Sequence, residues 1–196
     1  MSAGRLDARK RALRQELRAR RVALCAEDRA AASRAASWVA LQGLPWRLRP
    51  KVALFWPLAD EIDTRPLLHA LHWLGAAPLL PRMNGTGRAL TFHAWRPDLE
   101  LVPGPFQVLE PPAAQAVTTP DIVLTPLLGF DAKGGRLGYG AGFYDVTFAT
   151  MAAAGDVPLR VGLCFACQEV AEVPVGPADV TLELIITEAG LRRAAP

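Results

Sequence analysis

The feature that most restricts this chain is a repeated exchange between two hydrophobic periods. Short apolar runs that stop at proline or glycine alternate with stretches whose leucines recur every three or four residues. The first pattern suits buried strands and the second suits helices that cover them. Repeated strand–helix alternation predicts an α/β fold with a largely parallel central sheet flanked by helices on both faces. At 196 residues the chain fits a single three-layer domain spanning 1–196. Half of it is apolar (51%) and a fifth charged (21%), which argues against disorder.

Leu6, Leu13, Leu17 and Leu24 fall on one stripe, so the first 24 residues read as an amphipathic helix. Lys10 lies on that stripe, and Arg14 leaves the next turn. A second helix spans 27–41 and stops at Gly43 and Pro45. Residues 51–56 form a buried strand ended by Pro57. Thr64 can cap the next helix, Pro66 fits its first turn, Leu67, Leu68, Leu71 and Leu74 supply its apolar face, and Gly75 ends it. A strand over 77–80 stops at Pro81, and 89–95 alternates as an edge or antiparallel strand does. The proline-rich 97–120 reads as loop with a short strand at 106–109. A strand at 121–125, a glycine-rich loop, a helix over 142–154 and strands at 159–164 and 184–187 complete the chain. Parallel sheets bind ligands at the carboxyl ends of their strands, which singles out 57–63 and 129–145.

Several function classes are disfavoured. No apolar run approaches a membrane span. The basic N-terminus has no apolar core behind it and so is no secretory signal; Asp7 and Glu16 weaken an organelle-targeting reading. Net charge is only +3, yet residues 5–21 hold eight basic side chains against two acids, a surface that can attract an anion. Three cysteines fit a reducing compartment. Cys164 and Cys167 form a C-x-x-C, read as small apolar residues near a strand end rather than a redox pair or half of a zinc site, since no second pair or nearby histidine completes it. His69, His72 and His93 show no metal spacing, and Trp38, Trp46, Trp73 and Trp95 read as packing residues.

The segment GFDAKGGRLGYGAGFYD carries the chemistry. Gly134, Gly135, Gly138, Gly140 and Gly142 put five glycines in nine positions, immediately before a helix. Left-handed backbone, open N–H groups and a helix N-terminus together make an anion cradle. Arg136 adds a planar cation suited to phosphate, and Asp145 can hold magnesium against phosphate oxygens. The spacing fits neither the Rossmann fingerprint nor a Walker A loop.

The whole phrase, from Phe130 and Asp131 through Gly134, Arg136, Leu137, Gly138, Gly140, Gly142, Phe143, Tyr144 and Asp145, resembles the signature of the 5-formyltetrahydrofolate cyclo-ligase family. Further matches follow in order: Lys10 to Arg14, residues 60–64, Pro81-Arg82, Glu110-Pro111, Gln168, Val173-Pro174 and Asp179. The resemblance implies an enzyme that uses ATP and Mg²⁺ to convert 5-formyltetrahydrofolate into 5,10-methenyltetrahydrofolate, with release of ADP and phosphate, through a phosphorylated formyl oxygen. It implies ATP contacts from Lys10, Arg11, Arg14, Arg136, Leu137, Gly138, Tyr139, Gly140, Ala141, Gly142, Phe143 and Tyr144. It implies folate contacts from Trp56 and Glu61, magnesium ligands Asp145 and Asp179, and catalytic roles for Arg136 and Asp145. A carboxylate suits the paired N–H donors of a pterin, and an indole offers it a flat face.

We expect a cytoplasmic monomer whose partners are these small molecules, with no nucleic acid or membrane. Phe143, Ala141 and Val146 depart from residues common in the family (Tyr; Gly or Lys; Arg), which leaves Arg136 or Lys133 to supply charge in the loop. The rivals are a module that binds folate or nucleotide without turnover, and a nucleic-acid binder using the basic first helix. The latter lacks a recognised motif.

Overall fold

The structure, a computed structural model, describes residues 3–46 and 48–195. Residues 1 and 2 of the expected first helix lie outside them. Helices α1 (Ala3–Val22) and α2 (Ala26–Gly43) precede β1 (Lys51–Ala53), α3 (Arg65–Trp73), β2 (Ala77–Arg82) and β3 (Thr91–Ala94). Next come β4 (Val102–Pro103), β5 (Leu109–Glu110), β6 (Ile122–Thr125), β7 (Gly129–Phe130), β8 (Arg136–Leu137) and α4 (Phe143–Ala153). Strands β9 (Leu159–Leu163), β10 (Leu184–Thr187) and β11 (Gly190–Arg193) close the fold.

Seven strands form the central sheet in the order β11-β10-β9-β6-β1-β2-β3. The inner pairs are parallel, and β3 and β11 lie antiparallel at the two edges. This is the layered α/β arrangement expected. Its cause is visible in the alternation of side chains along each strand. Val52, Leu54, Ile122, Leu124 and Leu80 pack into a core that includes Ala36 and Ala40 of α2 and Leu67, Leu68 and Leu71 of α3. Their neighbours Ala53, Val123 and Leu79 pack into a separate core with Phe148 of α4. Both faces are thus apolar, which explains why the central strands read as continuous apolar runs. Helix α1 docks through Leu17 onto Leu128, Leu137 and Val173, over the β7–β8 hairpin. Among the described residues no helix is long and apolar enough to cross a membrane.

Several local expectations are corrected. Thr64 does not cap α3; its hydroxyl donates to the Phe55 carbonyl at 2.6 Å, and the Asp63 carboxylate takes the Arg65 N–H at 3.0 Å instead. Leu74 lies beyond the last turn and is exposed. Strand β2 runs through Pro81, because β1 pairs only with 77–79 and Pro81 faces β3 alone. The expected strand at 106–109 is largely a turn. Phe106 and Gln107 take positive φ (56° and 61°), and only the short β4–β5 pair flanks them. Strand β11 and the β7–β8 hairpin were not anticipated. Among the tryptophans, Trp95 is buried and Trp46 donates to the Leu41 carbonyl, but Trp38 and Trp73 are exposed.

Candidate active site

The order of the strands fixes where a ligand can enter. The chain starts the sheet at β1, adds β2 and β3 on one side, then crosses to β6 and builds outward on the other. The segments leaving β1 and β6 therefore diverge, which leaves a crevice at their carboxyl ends. A cavity of about 770 Å³ lies there. It is lined from both stretches singled out by sequence, Trp56 to Glu61 and Arg136 to Asp145, and by Lys10, Arg14, Arg18 and Arg21 of α1.

The glycine loop is held in place by buried polar groups. Asp131 accepts N–H bonds from Lys133 and Gly135 on one oxygen and from Val173 on the other, at 2.8–2.9 Å. Gln168 donates to the Leu127 and Leu128 carbonyls just ahead of it. The loop tip, 140–142, stays exposed. Gly140 (φ 109°) and Gly142 (φ 69°) take left-handed backbone there, and Gly142 opens α4. Such backbone lets a ligand approach main-chain N–H groups closely, and a helix N-terminus favours an anion there.

Four of the expected cation and carboxylate positions pair across this end of the cavity. Arg14 Nε donates to the Gly138 carbonyl at 2.8 Å, and its terminal amino groups make no hydrogen bond among the described residues. Arg136 is buried; Nη2 donates to Asp145 Oδ1 at 2.6 Å, while Nε is buried with no hydrogen-bond partner among the described residues. Lys10, the charge on the apolar stripe, finds its anion in Asp179 at 2.5 Å. Asp145 also accepts the Val180 N–H, and Asp179 that of Gly176. In each carboxylate both bonds fall on one oxygen, which leaves the other for an outside ligand. Two such carboxylates suit a magnesium ion whose remaining ligands are phosphate and water. An all-protein metal cluster of three or more His, Cys, Asp or Glu does not occur among the described residues.

At the other end, Trp56 packs against the α2–α3 core and lines the cavity. Glu61 is buried; Oε2 accepts the Leu58 N–H at 2.9 Å and Oε1 accepts the Tyr139 hydroxyl. Burial pushes its carboxyl up, against the opposing pull of the Leu58 N–H, Tyr139 and Arg21. Tyr139 and Tyr144 are also raised by burial and by Glu61, so both remain phenols.

Two expectations do not meet the cavity. Arg11 is exposed and absent from the lining, as is Lys133, so the charge of the glycine loop comes from Arg136. Leu137, Phe143 and Tyr144 line it chiefly as packing groups. Pro81-Arg82 and Glu110-Pro111, matched separately in sequence, come together: Arg82 donates to the Pro111 carbonyl at 2.8 Å and lies 3.6 Å from the buried Glu110 carboxylate. Cys164 is buried and both thiols are pushed up by burial. Sequence reasoning missed Arg21, which is 2% exposed. The signal was available, since Arg21 follows Leu17 by four residues and continues the stripe that made Lys10 conspicuous.

Comparison with known proteins identifies the family. The family model described as the 5-formyltetrahydrofolate cyclo-ligase family matches residues 6–188. The 5-formyltetrahydrofolate cyclo-ligase of Haemophilus influenzae is 33% identical over 87% of this chain and 92% of its own length. That of Escherichia coli K12 is 32% identical over 87% and 96%. The NMR structure of the Aquifex aeolicus 5,10-methenyltetrahydrofolate synthetase superposes with a TM-score of 0.79 at 26% identity, covering 95% of this chain and 93% of that one. The family model spans most of the chain and the relatives exceed 30% identity over most of their own length, so the chain belongs to the 5-formyltetrahydrofolate cyclo-ligase family of enzymes.

Proposed function

We propose that this protein catalyses the ATP- and magnesium-dependent cyclisation of 5-formyltetrahydrofolate to 5,10-methenyltetrahydrofolate. The observation that carries the reading is that the phosphate-type loop and the Glu61 turn, far apart in sequence, line one cavity. The triphosphate lies on the exposed 140–142 tip, with Arg14, Arg136 and Lys10 as its cations. Arg14's free amino groups and the orphaned Arg136 Nε are the donors such an anion would satisfy. Asp145 and Asp179 would hold magnesium, which neutralises phosphate charge when bound. The pterin rests beside Trp56 with its paired N–H donors on Glu61.

In this reading the formyl oxygen attacks the γ-phosphorus and ADP leaves. Nitrogen 10 then adds to the formyl carbon, loses its proton, and the C–O bond breaks to release phosphate. The protein's task is to align the two substrates and stabilise charge, since phosphoryl transfer depends mainly on positioning and electrostatics. Purified protein supplied with 5-formyltetrahydrofolate, ATP and magnesium should develop methenyltetrahydrofolate absorbance and release ADP in equal amount. Folded protein that yields no product at saturating substrates would refute the proposal. Tight binding of either ligand without ADP release would make it a binding module.

A further inference from the structure

The buried guanidinium of Arg21 joins helix α1 to both the Asp60–Glu61 turn and the glycine loop. Nε and Nη2 donate to Asp60 Oδ2 at 3.1 and 2.7 Å, and Nη1 donates to the Tyr139 hydroxyl at 2.7 Å. Nη1 also lies 3.8 Å from Glu61 Oε1, the oxygen to which Tyr139 donates. The Tyr139 ring is flanked by the Arg18 and Arg21 guanidiniums, each 5.6 Å from its centroid. So this side chain of the phosphate loop is turned away from phosphate chemistry and toward the carboxylate at the other end of the cavity.

We propose that Arg21 and Tyr139 are positioning residues for Glu61, fixing the rotation of its carboxylate for a folate and tying that subsite to the glycine loop. The inference rests on the reading of Glu61 as the folate carboxylate. Each Glu61 oxygen has one hydrogen bond from the protein, Leu58 N–H or Tyr139 O–H, which pins the plane of the group. Each oxygen keeps lone-pair capacity for a ligand N–H. A carboxylate free to rotate would have to be ordered on binding, and that cost would appear in affinity. Arg21 contributes by holding the Tyr139 hydroxyl in the direction of Glu61 while its own charge is balanced by Asp60.

The test is calorimetric titration with 5-formyltetrahydrofolate and, separately, with a non-hydrolysable ATP analogue and magnesium. Thermal denaturation verifies that each variant is folded. Tyr139→Phe removes only the hydroxyl, and Arg21→Lys keeps a charge but replaces the planar fork that spans Asp60 and Tyr139 with a single nitrogen. Tyr139→Phe should weaken folate binding about tenfold, the loss of one hydrogen bond to a charged group, and change the nucleotide affinity much less. Arg21→Lys should do at least as much, and the double variant should be no worse than Arg21→Lys alone. Unchanged folate affinity in Tyr139→Phe, or equal losses for both ligands, overturns the inference while leaving the proposed reaction intact. Wild-type protein that fails to bind 5-formyltetrahydrofolate refutes the reaction itself, and with it this inference.

Discussion

The two ends of the cavity are built on opposite plans. At the glycine-loop end, charged groups keep hydrogen-bonding capacity in reserve: Arg14 has idle amino groups, Arg136 Nε has no partner among the described residues, and Asp145 and Asp179 each commit a single oxygen. At the Glu61 end, the carboxylate is buried and both of its oxygens already accept bonds from the protein. An end with idle donors suits a highly charged ligand that brings its own acceptors and a metal. An end that is already ordered suits a neutral ring read by geometry. Charge recognition tolerates looseness, whereas a planar hydrogen-bonded fit does not.

Predictions that break or sharpen this contrast can be ranked. The largest effect belongs to Asp145→Asn. The amide oxygen can still accept from Arg136 and Val180, so the protein stays folded, but turnover should fall about 10²–10³-fold in a single-turnover ADP assay. Turnover at the wild-type rate would remove Asp145 from the metal site.

Glu61→Gln comes next and should separate binding from stability. Folate affinity drops about 10–100-fold by calorimetry, while nucleotide affinity holds. Stability moves the other way. Because burial raises the Glu61 carboxyl in the folded state, the unfolded chain loses its proton first as pH rises past about 4.3. Wild-type stability from this group is full below that pH and is lost as pH climbs through the raised folded value. The glutamine variant escapes that loss, so its melting temperature relative to wild type should rise between acid and neutral pH. A constant difference across that range would show that the carboxyl is not raised.

Arg14→Ala removes one loop anchor and two idle amino groups, and should weaken the ATP analogue about tenfold without altering folate binding. The smallest effect belongs to Cys167→Ser. It should change stability by no more than about 1 kcal/mol in urea denaturation and leave turnover alone. A large loss of turnover would revive the redox or metal reading of the C-x-x-C.

How much of this was legible in sequence differs from region to region. The inner strands were, because both of their faces are covered and the runs are continuously apolar. Strand β11 was not, since GLRR is short and polar and owes its place to pairing with β10. Nor was the β7–β8 hairpin, whose two-residue strands depend on the Asp131 carboxylate rather than on any period. The anion-binding role proposed for 134–145 followed from glycines and a helix start. The folate role proposed for Glu61 did not; an isolated Glu in a turn looks like a solvated acid, and only the resemblance marked it. Arg21 was hidden among eight basic residues of one helix, although its place on the leucine stripe set it apart.

A crystal structure of the protein with a non-hydrolysable ATP analogue, magnesium and 5-formyltetrahydrofolate tests the central claim most directly. The account predicts the triphosphate on the main-chain N–H groups of 140–142 and the pterin N–H donors on Glu61, with the formyl oxygen facing the γ-phosphorus. A triphosphate bound elsewhere, or a pterin out of reach of Glu61, would contradict it.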